Sequence, residues 1–405
     1  MNFDLTQEQL MVQMMVRDFA QKEIAPTIRE QDRKQEMAPF ALPRMGELGI
    51  LGMCIPVKYG GQGLDYISLG LACEELEAVD TTLRVVLSVH TGLCSLMLLQ
   101  WGTEAQKEKY LVPLAQGKRI GCGAFTEPGA GSDFANIQGT AHKDGNDYVL
   151  NGEKMWISLA NVADVAVVTM RTNPNAAKKS QGLSTFLVDL TSPGITRGNI
   201  HGKLGVRAGS TGWIAFQDVR VPVENRIGEE GEGFKITMSA FDNGRYTVAA
   251  GATGLIRAAM EASIAYAKER KTFGKPIAEH QLIQVKIAGM TRDYEISRLL
   301  YLRAGFLKNK GVRNTRETSL AKWFATRASF EAANEAVQIH GGYGYSDEYD
   351  VERYLRNAKG AMIYEGSNEI QQLIQASYAL GARKDKPLRR ELPPYDETVW
   401  QEEQG

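Results

Sequence analysis

Cysteine is scarce in this chain of 405 residues. The four present, Cys54, Cys73, Cys94 and Cys122, contain no CxxC pair. His90, His142, His201, His280 and His340 form no ligand-spaced pair either. That pattern argues against a metal site and for buried free thiols in a reducing compartment. Net charge is small as well, because 47 Lys and Arg offset 48 Asp and Glu to leave -1. The two signs are interspersed, so no nucleic-acid-binding face is implied. No segment reads as apolar for long enough to span a bilayer. MNFDLTQEQL lacks the basic-then-apolar start of a secretory signal. These absences predict a soluble intracellular protein. Its place would be the bacterial cytoplasm, or the mitochondrial matrix where a transit peptide has been removed. A dinucleotide fingerprint is missing too. GEEGEG at 228–233 follows a turn and puts acids where a pyrophosphate would sit, which disfavours a Rossmann domain.

What is present suffices for a core, with 43% hydrophobic residues. Thr6 and Gln9 make a capping box that opens an amphipathic stretch, with Leu10, Val12, Met15, Val16 and Phe19 on one face. PVKYGGQG at 56–63 is loop chemistry. Helical patterning covers 67–99, and Thr103 with Gln106 repeats the capping box. From about 120 to 226 the period changes. DYVL, DVAVVT, STFLV and WIAF read as short strands between turns, which suggests a small barrel or sandwich. The helical period resumes at Gly233, with an Ala-rich, helix-favouring stretch at 251–270, and helical segments follow at about 276–309, 315–340 and 366–382, joined by short loops, as in an antiparallel bundle. The expected division is a helical domain at 1–118, a β domain at 119–228 and a helical bundle at 229–383. A charged, proline-bearing tail at 384–405 is expected outside the core.

Several short stretches carry candidate chemistry. AMIYEGSNEIQ sets Glu365 at the end of an apolar run, before Gly366. Carboxylates usually face water. One placed against apolar neighbours has a raised pKa and can act as a base. TEPGAGSD at 126–133 offers the Thr126 and Ser132 hydroxyls and a backbone opened by Gly129 and Gly131. It suits a flavin edge or a pyrophosphate, or is an ordinary polar turn. In KMWIS, Trp156 could cover a ring system, or be a half-buried strand residue. Arg270, in ERKTFGKPI, could cap a helix C-terminus or bind a cofactor phosphate. QIHGGYGY at 338–345 ends a helix in two glycines, as a C-cap or as a bed for a phosphate chain.

Together and in this order, TEPGAGSD, WIS, RKTFGKPI, QIHGGYGY and IYEGSNEIQ closely resemble the signatures of the acyl-CoA dehydrogenase family. The resemblance runs from about Phe3 to Ala382. It implies a helical N-terminal domain, a β-barrel-like middle domain and a C-terminal four-helix bundle. It also implies FAD, extended across a subunit interface of a homotetramer built as a dimer of dimers. By resemblance, Thr126, Gly131, Ser132, Trp156 and Ser158 hold the flavin side. Arg270, Phe273, Gln281, Gln338 and Gly342 hold the pyrophosphate and adenosine, partly from a neighbouring subunit. Ser367 and Glu369 stand where the family often carries Thr and Gln against FAD.

The resemblance assigns the catalytic base to Glu365 and the reaction to α,β-dehydrogenation of an acyl-CoA thioester. The base takes the α proton while the β hydrogen leaves as hydride to flavin. The base's own backbone N–H and a flavin hydroxyl then bond the thioester oxygen. Ser132, Asp242, Arg245, Tyr364 and Gly366 would neighbour the substrate. Some relatives carry the base elsewhere, at a position that here is Gly244, which cannot act. An electron-transfer flavoprotein is the implied acceptor. The expected substrate is a short, medium or branched acyl-CoA, oxidised to the trans-2-enoyl-CoA. The alternative is glutaryl-CoA, because ELEAVDTTLRVVLSVH resembles glutaryl-CoA dehydrogenases, in which an arginine at the position of Arg84 binds the distal carboxylate. Glu77, seven residues before Arg84, is expected on the same helix face. An acyl-CoA oxidase, a nitroalkane oxidase with Asp in place of Glu365, and a flavin-binding scaffold are the lesser alternatives.

Overall fold

The computed structural model describes residues 4–395. Phe3 and the last ten residues of the tail, 396–405, lie outside them.

The first region is helical: α1 (Gln7–Phe19), α2 (Ala25–Lys34), α3 (Ala41–Glu47), α4 (Tyr66–Glu77), α5 (Thr81–Val86), α6 (Leu96–Trp101), α7 (Glu104–Gln106) and α8 (Val112–Ala115). Both capping boxes form as the sequence predicts, with Thr6 and Thr103 accepting from the amides of Gln9 and Gln106. α5 and α6 are joined by a π-helical stretch, Leu87–Ser95, into one run from Thr81 to Trp101. This run is long and apolar enough to cross a membrane by composition, which corrects the expectation that no segment is. Its polar members, such as Arg84 and His90, interrupt the apolar run without lowering the mean far. About 94% of its apolar window is buried inside the protein, so it is the central core helix and has no face free for lipid.

The middle region is one curved sheet. Its strands are β1 (Gly121–Ala124), β2 (Thr140–Asp144), β3 (Asp147–Ser158), β4 (Val165–Arg171), β5 (Leu183–Asp189), β6 (Ile195–Asn199), β7 (Thr211–Pro222) and β8 (Arg226–Ile227). They run β6-β7-β3-β2-β4-β5-β8, with β1 added parallel to β4. β1, β2, β6 and β8 leave no strand pattern in the sequence, because they are glycine-bearing, polar or only two residues long. DYVL is only the start of the 12-residue β3, which continues through Asn151-Gly152 by means of a bulge.

The C-terminal region begins with α9 (Gly233–Glu269), 37 residues long. A small hairpin, β9 (Lys271–Thr272) and β10 (Lys275–Pro276), leads to α10 (Gln281–Asn309), α11 (Thr315–His340), α12 (Val351–Ala361) and α13 (Asn368–Ala379). α12 was unread because Glu352, Arg353, Arg356 and Lys359 mask its apolar face of Val351, Tyr354, Ala358 and Ala361.

The tail departs from expectation. Leu388 and Leu392 pack on the main core. Arg390 donates to the Trp101 and Gly102 carbonyls at 3.0 and 2.7 Å, and Arg389 pairs with Glu232. The charges anchor this segment through backbone and ion-pair contacts, and the leucines between them reach inward.

Candidate active site

Glu365 sits in the turn between α12 and α13. Its φ is +55° and that of Gly366 is +88°. A left-handed non-glycine residue is uncommon and costs about 1–3 kcal/mol unless its surroundings impose it. Here they do. Arg245 Nε donates to the Glu365 carbonyl at 3.3 Å. The Gly366 carbonyl accepts from Lys322 Nζ at 2.8 Å and from Gln371 Nε2 at 2.9 Å. The base candidate is therefore pinned from α9, α11 and α13 through its backbone, which leaves its side chain to other contacts.

Those contacts are polar. Ser88, in the π-helical stretch, donates to Glu365 Oε1 at 3.0 Å. Glu365 Oε2 is buried without a partner. A Cβ at Gly244 would fall 1.9 Å from that oxygen. Gly244 thus makes room for the carboxylate. Burial raises the pKa of Glu365, while Arg84, Ser88, Lys322 and Arg245 pull the other way. The apolar approach in the sequence is real, but the carboxylate itself is surrounded by hydroxyl and cationic groups.

Arg84 is fully buried, and its Nε lies 2.5 Å from Glu77 Oε2. It also donates through Nη2 to the Tyr364 hydroxyl, while Nη1 has no partner. The expected route to the Glu77 pair was wrong. The two residues do not share a helix, because α4 ends at Glu77 and Asp80 caps a new helix by accepting from the Thr82 amide. The break folds Glu77 back toward Arg84. Burial opposes the Arg84 charge, yet Glu77 and Tyr364 outweigh it and hold the guanidinium above its ordinary value. Gly251 of α9 gives this pair its space. A Cβ there would lie 2.0 Å from Glu77 Oε2 and 2.7 Å from Arg84 Cγ. Gly251→Ala is expected to destabilise the protein by about 1–3 kcal/mol through overpacking. A thermal melt of the variant checks this, and an unchanged melt would contradict it.

Asp242 and Arg245 pair at 2.9 Å. This is not a surface ion pair, since Arg245 is buried and Thr315 also donates to Asp242 at 2.6 Å. Lys322 is buried too, and burial lowers its pKa to about 7. Sequence reasoning missed Ser88, Thr247, Gly251 and Lys322. A lysine among small and apolar neighbours in SLAKWFA was the one readable signal.

The residues assigned to FAD fall into two groups. Thr126 accepts from the Met155 amide at 2.9 Å through its carbonyl, which brings the 126–133 loop beside Trp156 and Ser158. Beneath it Lys154 Nζ meets Glu127 Oε1 at 2.7 Å, both buried. Trp156 corrects the half-buried expectation. A second bulge in β3 gives it φ +62° and leaves it 58% exposed. Gly131 and Ser132 are exposed as well. The second group surrounds a cavity of about 780 Å³ lined by Arg270, Gly342, Tyr343 and Tyr266 among others. Phe273 is 96% exposed nearby, and Gln281 and Gln338 are exposed. Arg270 and Gly342 line this cavity within one chain. No hydrogen bond joins the two groups among the described residues. Ser367 stands at the N-cap of α13 without a side-chain cap bond, and the Ser367 hydroxyl holds the Glu369 carboxyl below its ordinary value.

Two large aromatics stand in the open, backed by free glycine backbone. Gly129, Gly341 and Gly342 have nothing within 4 Å of an added Cβ. Such surfaces fit a long cofactor carrying a planar ring and phosphates. Elsewhere in the fold, the buried Glu365 carboxylate offers a base.

Comparison with known proteins gives the family. The acyl-CoA dehydrogenase N-terminal domain matches residues 6–118, the middle domain 122–219 and the C-terminal domain 231–380. The chain belongs to the acyl-CoA dehydrogenase family and is an FAD-dependent oxidoreductase. A short-chain-specific acyl-CoA dehydrogenase of Clostridium acetobutylicum is 41% identical over 374 residues, covering 92% of this chain and 98% of that one. The structure of butyryl-CoA dehydrogenase from Megasphaera elsdenii superposes with a TM-score of 0.92 at 40% identity, over 94% of this chain and 100% of that one. A glutaryl-CoA dehydrogenase in complex with glutaryl-CoA gives 0.91 at 38% identity, over 95% and 98%.

Proposed function

We propose that this chain oxidises a short-chain acyl-CoA to its trans-2-enoyl-CoA, with Glu365 as the base. The observation that carries the assignment is the buried, partnerless Oε2 of Glu365 on a backbone fixed by Arg245, Lys322 and Gln371. The α proton passes to this oxygen. FAD, when bound, supplies the acceptor for the β hydride. Among the described residues the Glu365 backbone N–H donates no hydrogen bond, so it is free to bond the thioester oxygen as that oxygen gains charge. Asp242 and Arg245 flank the approach to the base.

The preference for an uncharged acyl chain rests on Arg84. Its charge is already neutralised by Glu77, so the pocket presents no unpaired cation. A second reading has its own support. Arg84 Nη1 is buried and partnerless, and a distal carboxylate could accept from it, which suits glutaryl-CoA. Leu282, Val285, Leu299 and Phe306 form an exposed apolar stripe on α10, in keeping with a homotetramer. The acceptor that goes with this reading is an electron-transfer flavoprotein, in bacterial cytoplasm or mitochondrial matrix.

The test is an acyl-CoA panel, from butyryl to branched and glutaryl, with product masses. The enoyl product of butyryl-CoA is expected. Turnover of glutaryl-CoA alone would replace the first reading with the second.

A further inference from the structure

Three regions of the chain meet at one buried side chain, Asn357 of α12. Its carbonyl oxygen accepts from the Val206 amide at 2.6 Å. Its nitrogen donates to Asp80 Oδ2 at 3.1 Å. The amide cannot be turned round, because the Val206 N–H needs an acceptor and the Asp80 carboxylate needs a donor. Asp80 belongs to the helical N-terminal region and caps α5, which carries Arg84. It also pairs with Arg353 of α12 at 3.2 Å. Val206 belongs to the loop between β6 and β7 of the middle region. That loop enters β7 at Thr211, which stands opposite Ser158 of β3, and the Ser210 carbonyl accepts from the Leu159 amide at 2.7 Å. α12 itself ends at Ala361, four residues before Glu365.

The loop is held on α12 under strain. Val206 has φ +51°, an outlier for a β-branched residue, and such a conformation costs about 1–3 kcal/mol. Gly205 brings the loop backbone onto the helix, since a Cβ there would lie 2.3 Å from the Arg356 carbonyl oxygen. Arg356 Nη1 adds a bond to the Leu204 carbonyl at 3.3 Å. Lys203 staples the loop by donating to the Gly209 carbonyl at 2.8 Å and the Thr211 hydroxyl at 3.0 Å. Val206 also reaches the neighbour of the base. A Cβ at Gly360 would meet Tyr364 Cε1 at 3.1 Å and Val206 Cγ2 at 3.9 Å. Tyr364 in turn accepts from Arg84.

We propose that Asn357 and Val206 are positioning residues that set the separation between β3, the flavin-side strand, and the base. The inference rests on Glu365 being the base and on Trp156 and Ser158 facing the flavin. Oxidation needs both sides placed on one acyl chain at once. The α proton goes to Glu365, and the β hydrogen leaves with its electron pair to FAD. Removal of the α proton alone needs the base and donors to the thioester oxygen, and the proton can return. In D2O that return delivers deuterium to the α carbon. A separation of the wrong width therefore stops oxidation and spares exchange.

The test compares two rates in the full-length holoprotein at saturating FAD and butyryl-CoA. One is anaerobic flavin reduction, read by absorbance. The other is deuterium uptake at the α carbon in D2O, read by NMR. Val206→Gly keeps both Asn357 bonds and relieves the strain, but replaces a locked hinge with a free one. Its flavin reduction is expected to fall about 10- to 100-fold, as for a misplacement of ~1 Å, while deuterium uptake stays near the wild-type rate. Amide hydrogen exchange of the FAD-free protein gives a readout without chemistry. Segment 203–210 should lose protection in this variant, and unchanged protection would overturn the proposal. Asn357→Leu removes both bonds and should split the two rates in the same way, with a lower melt. Val206→Gly decides the matter if Asn357→Leu does not fold. A parallel fall of both rates in Val206→Gly, or no fall in either, would overturn the positioning role alone. Glu365→Gln keeps the two ideas apart, since deuterium uptake at the wild-type rate in that variant would remove the base assignment instead.

Discussion

Glu365→Gln is expected to keep its FAD and to lose flavin reduction by acyl-CoA, by about 10²–10⁴-fold or more. The amide has the shape of the carboxylate and can still accept from Ser88, but it cannot take up a proton. The turn should survive the change. Its two left-handed residues are held through carbonyl bonds from Arg245, Lys322 and Gln371, none of which uses the side chain being replaced. The cofactor surfaces around Trp156 and Arg270 are also untouched. Stopped-flow absorbance after anaerobic mixing with butyryl-CoA checks the prediction. Rapid bleaching of the variant would remove Glu365 from the base position.

The second large effect concerns Arg84, and the structure dictates how it must be tested. Arg84→Ala alone would leave Glu77 as an unpaired buried carboxylate, a defect that costs about 3–5 kcal/mol and harms every substrate. It would also remove the strongest of the charges that favour ionised Glu365. Replacing both partners, as Glu77→Gln with Arg84→Met, removes the charges together and keeps most of the volume. If a distal carboxylate binds Arg84, the double variant should lose glutaryl-CoA turnover relative to butyryl-CoA. A desolvated charge contact of ~2–5 kcal/mol predicts a fall of about 30-fold to several thousand-fold in the ratio of kcat/KM values. If the pair is only structural, the two substrates should change together. That equal change, with no glutaryl-CoA turnover by the wild type, leaves the uncharged acyl chain as the substrate.

Much of this was legible in the sequence where one local rule decides. The capping boxes at Thr6 and Thr103 need only the residue at each cap and the one three positions on, and both form. The helix at Thr315–His340 follows from a long Ala-rich run, free of glycine and proline, between a polar start and glycines. Legibility failed where tertiary partners decide. Trp156 lies in a strand pattern, but a bulge against β7 turns it outward. Ser88 and Thr247 are 159 positions apart, and only the crossing of the core helix over α9 joins them. Gly244 gives the crossing its room, because a Cβ there would lie 3.0 Å from Leu93 Cδ2 and 1.9 Å from Glu365 Oε2. The Glu77–Arg84 pair was read correctly for a wrong reason, since a capped break rather than helical periodicity brings the two together. The tail was misread because composition cannot show that Leu388 and Leu392 point inward between bonded arginines.

The most direct test of the account is a single anaerobic mixing of the wild-type holoprotein with butyryl-CoA. The flavin absorbance should bleach, and the CoA product should be lighter by two hydrogens, with the reduced spectrum persisting when air is admitted. A flavin that stays oxidised with butyryl-CoA and with every other acyl-CoA in the panel would contradict the account.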